Sequence, residues 1–178
     1  CLRGESEVFV GTVTAGDVYL IQIGDWDDSD VAPTPGALNV TFVPPPPAND
    51  DCANPTSIAG LGSFAYDSTG ATTSNPTSGG GPCVSASLDE ADVFFLWTAT
   101  SAGCVAFDTC GSSHDTILTL RSGPGCATTC LAQNDDATVL CPGSSSYAEP
   151  GINFAIGDQV LVQLAGFNGA FGAGTLNV

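Results

Sequence analysis

The sequence contains no methionine, a single histidine and only two basic side chains, Arg3 and Arg121, against 19 aspartates and glutamates. A formal net charge of −17 at pH 7 repels phosphate backbones and anionic headgroups, which argues against nucleic acid and acidic membranes as partners. At most two carboxylates can find an arginine within the chain, so the rest must be hydrated, bonded to backbone amides or neutralised by cations. Divalent cations are therefore good partners. Long apolar runs are missing as well: VFFLW, Val93–Trp97, is about the longest, far short of the ~18 residues of a membrane-spanning helix, so membrane insertion is not expected. A chain without an initiator methionine reads as a processed product or as a piece of something longer. One histidine and no Cys-x-x-Cys pair argue against zinc.

What is present describes a folded protein. Hydrophobic residues make up 43% and charged residues 12%, too apolar for a disordered acidic tail. Cysteines stand at positions 1, 52, 83, 104, 110, 126, 130 and 141, which points to disulfides made in an oxidising compartment, and to an extracellular or cell-surface location. All eight, Cys1, Cys52, Cys83, Cys104, Cys110, Cys126, Cys130 and Cys141, are candidates for pairing. On the order of a hundred connectivities are open to such a set. The pairs expected are Cys52 with Cys83 and Cys130 with Cys141. Residues 41–178 hold an odd number, so one cysteine is expected to cross between modules or chains.

The two ends of the chain repeat each other. Cys1–Val40 contains GDVYLIQIGDW and ends in LNV; Cys141–Val178 contains GDQVLVQLAGF and ends in LNV. Cysteine, an apolar stretch, Gly-Asp, an alternating strand, a loop and Leu-Asn-Val recur in one order, the signature of a repeated module. Between the copies, FVPPPPAN favours a stiff polyproline spacer. The organisation read from this is residues 1–42, the closing strands of one module; 43–48, a proline-rich linker; and 49–178, a complete module.

DVYLIQI and DQVLVQL alternate at period two, which predicts strands that each bury one face. DVFFLWTA, CVAFDTC and TILTLRS are short, rich in β-branched and aromatic residues, and bounded by turn formers. No segment has helical periodicity over an ordinary helix's length. With 22 glycines and 12 prolines in the connections, the expected fold is all-β, an antiparallel β-sandwich of jelly-roll type. One module is complete, and the closing strands of a preceding or partner module stand before it.

The segments NDDCANPTSI, FAYDSTGATT, DVFFLWTATSAGCVAFDTCGSSHDTILTLRSG, CLAQNDDA and GDQVLVQLAGFNGAFGAGTLNV resemble bacterial pre-peptidase C-terminal domains. These are jelly-roll modules found beside secreted proteases and in surface repeats. The resemblance covers Asn49–Val178 and again Val8–Val40. It implies a module that is usually non-catalytic, with relatives that bind calcium. Cys104 and the half-module at the start depart from the pattern.

The same acidic triplet occurs twice beside cysteine, as Asn49, Asp50 and Asp51 and as Asn134, Asp135 and Asp136. Such clusters supply the hard oxygens that Ca2+ requires, but Asn and Asp also stabilise turns by bonding their own backbone. These six residues, with Asp115 at the start of TILTLRS, are the candidate Ca2+ ligands. GDWDDSD, residues 24–30, is a third acidic cluster. Ser112, Ser113, His114 and Asp115 stand side by side, and neighbours on an extended chain point apart, so no catalytic triad is expected. Asp92, before VFFLW, is either a carboxylate whose apolar context would raise its pKa or a plain strand-entry residue. Phe167 and Phe171 would suit sugar stacking if exposed, and are ordinary core if buried.

The functional expectation is a non-catalytic extracellular protein, structural or adhesive, that forms part of a filament or tandem array. Its partners would be copies of itself or adjacent modules, and surface polysaccharide. The half-module cannot bury its apolar faces alone. Either the earlier half lies upstream in a longer array, or these strands complete a neighbouring subunit. The alternative function is an accessory, carbohydrate- or substrate-binding module of a secreted hydrolase.

Overall fold

The computed structural model describes residues 11, 13–14, 16–22, 37–41, 44–74, 83 and 89–178. The chain divides into two units, residues 1–41 and 42–178.

The second unit is a sandwich of two sheets, and no helix occurs among its described residues. Its strands are β1 (Thr56–Ala59), β2 (Ser63–Asp67), β3 (Asp89–Thr98), β4 (Phe107–Asp108), β5 (Thr116–Ser122), β6 (Cys130–Asn134), β7 (Tyr147–Ala148), β8 (Gln159–Phe167) and β9 (Ala173–Asn177). One sheet has the order β1-β3-β8-β5-β6, the other β2-β9-β4-β7. All pairings are antiparallel except β1 with β3.

Alternation along the central strands builds the core between the sheets. Val93, Phe95 and Trp97 of β3 face Leu164, Val162 and Val160 of β8, while Leu118 and Leu120 of β5 pair Leu164 and Val162 from the other side. Tyr66, Phe107, Ala148 and Leu176 close the layer from the second sheet. Trp97 packs edge-on against Phe107 and Phe154, and its indole N–H donates to the Gly60 carbonyl at 2.8 Å. Each such side chain contributes roughly 1.5–3 kcal/mol through burial.

The period-two pattern of DQVLVQL predicts one buried face; β8 instead has both faces buried along Val160–Gly166. As the central strand it pairs β3 and β5 at once, and its other face is covered too. On that face Phe94 and Leu161 pack with Cys52, alongside Cys126. The same face carries a polar chain that is wholly out of water. Gln163 Nε2 donates to Asp92 Oδ2 at 2.7 Å, and the Arg121 guanidinium reaches Gln163 Oε1 at 3.4 Å. A bulge between Glu90 and Val93, with Ala91 at φ +53°, accompanies the turn of Asp92 into this face.

The disulfides are Cys52–Cys126, Cys83–Cys130 and Cys110–Cys141, with Cα separations of 5.4, 5.9 and 5.1 Å. The expected pairs, Cys52–Cys83 and Cys130–Cys141, do not form. Cys130 opens β6 in the five-stranded sheet, whereas the chain beyond it crosses to the other sheet, where β7 pairs β4 and sets Cys141 beside Cys110. Nearness in sequence was a poor guide because the sandwich separates Cys130 from Cys141, while Cys52 and Cys83 each pair with a cysteine at or just before β6. Cys104, also expected in a disulfide, is an exposed free thiol 3.3 Å from Asn153 Oδ1. Cys1 lies outside the described residues.

In the first unit, Gly16 at φ +97° makes a turn in which Asp17 N donates to Thr14 O at 3.1 Å. Residues 17–22 and 37–41 form no strand. Val18 and Leu20 are 96% and 98% exposed.

Candidate functional site

Two strand ends meet at the site. β5 and β6 are antiparallel, with Leu118 opposite Asn134, so the residue before β5 and the residues after β6 share one end of the sheet. Asp115 comes from the first position, and Asp135 and Asp136 from the second. One carboxylate oxygen from each lies within 4.8 Å of the others. Oxygens that share an ion at ~2.4 Å can be at most about 4.8 Å apart, so this spacing fits a hard cation such as Ca2+.

The electrostatics favour such an ion. Asp115 Oδ1 and Asp135 Oδ1 are buried and accept no hydrogen bond. Burial raises the pKa of Asp115, and the charge of Asp136 adds to this. Burial also raises Asp135, followed by repulsion from Asp115 and Asp136. Of the chain's two arginines, Arg121 is buried beside Gln163 and Arg3 lies outside the described residues. The donor set is all oxygen, which suits Ca2+ rather than a softer metal. The carboxylates leave some of calcium's six to eight positions to carbonyls and water.

A buried hydroxyl cluster holds this end in shape. Thr109, Thr116 and Ser146 are all fully buried. The Thr109 and Thr116 hydroxyls lie 2.6 Å apart, and Ser146 N donates to Thr109 Oγ1 at 2.8 Å. The Ser146 hydroxyl contacts the carbonyls of Thr116 and Asp135, which fixes the backbone of one acidic residue directly. Asn134 is structural here, its Oδ1 accepting from Tyr147 N at 3.0 Å. The Cys110–Cys141 disulfide ties the residue after Thr109 to the loop that follows the acidic pair. Sequence reasoning named Asp115, Asn134, Asp135 and Asp136 but missed Thr109, Thr116 and Ser146. The hint was the Thr-Cys pair at Thr109 and Cys110, whose cysteine joins the acidic loop.

The first triplet is engaged differently. Asn49 Nδ2 donates to Phe94 O at 3.0 Å, and Phe94 N donates back to Asn49 O at 2.8 Å. Asp50 accepts from Thr72 N and, at 2.8 Å, from Thr72 Oγ1. Asp51 Oδ1 caps its own turn by accepting from Ala53 N at 2.9 Å. These side chains clamp the module entry to the edge of β3 and to residues 72–74. Asp51 also neighbours Cys52 and Cys126, and Asp108 neighbours Cys110 and Cys141, but disulfide sulfurs offer no thiolate to a metal. The acidic cluster at 24–30 lies outside the described residues.

Ser112 and Ser113 are occupied elsewhere, and His114 Nδ1 is buried without a hydrogen-bond partner among the described residues. The Ser112 hydroxyl lies 3.0 Å from Tyr66 OH, and Ser113 Oγ donates to Ala173 O at 2.7 Å. His114 stands edge-on to Tyr66, and burial lowers its pKa. Phe167 is half-buried at the end of β8, while Phe171 in the next loop is 57% exposed. A shallow pocket of about 200 Å³ lies beside the acidic end, lined by Asp136, Val139, Leu140 and Tyr147 among others.

The disulfides belong to an oxidising, non-cytoplasmic environment. No helix among the described residues is long and apolar enough to cross a membrane. No family profile matches the sequence, and no curated protein matches it.

Proposed function

We propose that the chain is a non-catalytic structural segment of an extracellular array or filament of β-sandwich modules, braced by disulfides and by Ca2+ at Asp115, Asp135 and Asp136. One observation carries this reading. The sequence that forms β8 and β9 recurs in the first unit, once buried in a sandwich and once with its described apolar side chains in water. A lone soluble domain has no use for exposed Leu20 and Ile21, whereas a string of modules would bury them in a neighbouring sandwich. The resemblance to pre-peptidase C-terminal modules, which occur in surface repeats, supports it, as do the oxidised cysteines.

Calcium has a loop-fixing role in this account. A cation between β5 and β6 would relieve the repulsion among these carboxylates. Negative-stain electron microscopy of the native material, with and without a chelator, tests the proposal. Beaded filaments are expected, shortened or lost on chelation. Discrete particles under both conditions would overturn it.

The exposed ring of Phe171 favours a second reading, an accessory module that stacks a sugar on this loop. Retention on a polysaccharide column that disappears in Phe171→Ala would favour that reading over the first.

A further inference from the structure

The half-module can be placed in register with strands whose surroundings are known. GDVYLIQI, residues 16–23, corresponds to GDQVLVQL, residues 157–164, and Leu38-Asn39-Val40 to Leu176-Asn177-Val178. The local geometry agrees where both copies are described. Gly16 has φ +97° and Gly157 +91°, and each precedes an aspartate whose amide donates three residues back at 3.1 Å, Asp17 to Thr14 and Asp158 to Ala155. The same turn therefore launches both segments. Beyond it they diverge: Leu161 and Val162 are fully buried, while their counterparts Leu20 and Ile21 are 98% and 53% exposed.

The surroundings of β8 and β9 say what the exposed copy lacks. β8 needs a strand on each side, β3 and β5, and β9 lies between β2 and β4. Gln163, the counterpart of Gln22, links a buried aspartate on β3 to a buried arginine on β5. Asn177, the counterpart of Asn39, donates to Asp108 at 2.7 Å and accepts from Ser63 at 2.7 Å. An intact copy of the chain offers no such vacancy. Its slot is filled by its own β8, and entry of residues 17–22 would expel seven buried residues into water.

From this we infer that residues 16–22 and 38–40 complement a β1–β6 strand set that has no closing strands of its own, joined ahead of them as in the complete module, and that they do not dock on an intact copy. In that set Gln22 takes the Gln163 position between an aspartate and an arginine, and Cys1, the counterpart of Cys141, takes a Cys110 counterpart. The inference rests on the array reading and specifies how one module is closed.

The test joins residues 42–140 directly ahead of Cys1 of the full chain, which supplies the missing strands. Amides of Val18–Gln22 should exchange at least ~100-fold more slowly than in the parent chain. Peptide mapping should find Cys1 bonded to the Cys110 of the added copy. Leu20→Asp should abolish this protection in the fusion, yet leave the melting of residues 42–178 unchanged in the parent. The parent should run as a monomer on sizing at micromolar concentration. Unprotected amides in a fusion whose residues 42–178 of the parent part still melt normally would overturn the inference, and so would a parent oligomer dispersed by Leu20→Asp. A protected segment in material that forms no filaments would leave the strand assignment standing and remove only the array.

Discussion

Asp92 is held in the outer face of the five-stranded sheet, accepting from Gln163 Nε2 and, at 2.9 Å, from Ser74 N. Burial outweighs these donors and pushes its pKa up to about 7, with the charge of Asp50 adding to the shift. The folded protein thus binds this proton more tightly than the unfolded chain, whose carboxyl titrates near ~4. Its contribution is most favourable below that value, declines as pH rises to about 7, and is flat above. The unfolding free energy from urea titrations should fall between pH 5 and 8 by an amount on the order of a few kcal/mol, and Asp92→Asn should flatten the slope. A slope that persists in the variant would assign the effect to another group. Asp92 was legible because a carboxylate directly precedes VFFLW. Its surroundings were not, because Gln163 reaches it, and Arg121 reaches Gln163, only through the register of β3, β8 and β5.

Strand ends explain why the two acidic triplets behave differently. Asn49, Asp50 and Asp51 spend their side chains on Phe94, Thr72 and Ala53, and so act as a clamp. Asp135 and Asp136 meet Asp115 across the β5–β6 pair, where two buried carboxylate oxygens accept nothing. Sequence offered both as Ca2+ candidates with no means of ranking them, since ranking depends on which strand end faces which. Calcium in large excess over its Kd should raise the melting temperature by about 5–10 °C. Asp135→Asn should remove most of that shift while leaving the metal-free melting temperature equal or higher, because it relieves repulsion from Asp115 and Asp136. An unchanged shift in the variant would move the ion elsewhere. The cysteines teach the same lesson at this scale. Their odd number within 41–178 was readable and leaves Cys104 unpaired, but the pairing required knowing that β6 and β7 lie in different sheets.

For the whole molecule, the all-β sandwich followed from short β-branched segments and Gly- and Pro-rich connections. What the sequence could not convey is that the repeated segment is central in its sheet. DVYLIQI and DQVLVQL look like half-buried strands, yet β8 is buried on both faces and paired on both edges. On the proposed reading, the exposed copy would need a nearly complete set of partner strands, more than an edge contact supplies. The most direct test of the account is amide hydrogen exchange at Val18–Gln22 and Leu38–Val40, compared between native assembled material and the isolated chain. Protection in the assembled material that approaches that of Val160–Gln163, with fast exchange in the isolated chain, is the predicted result. Equally fast exchange in both would contradict the claim that these strands close another sandwich.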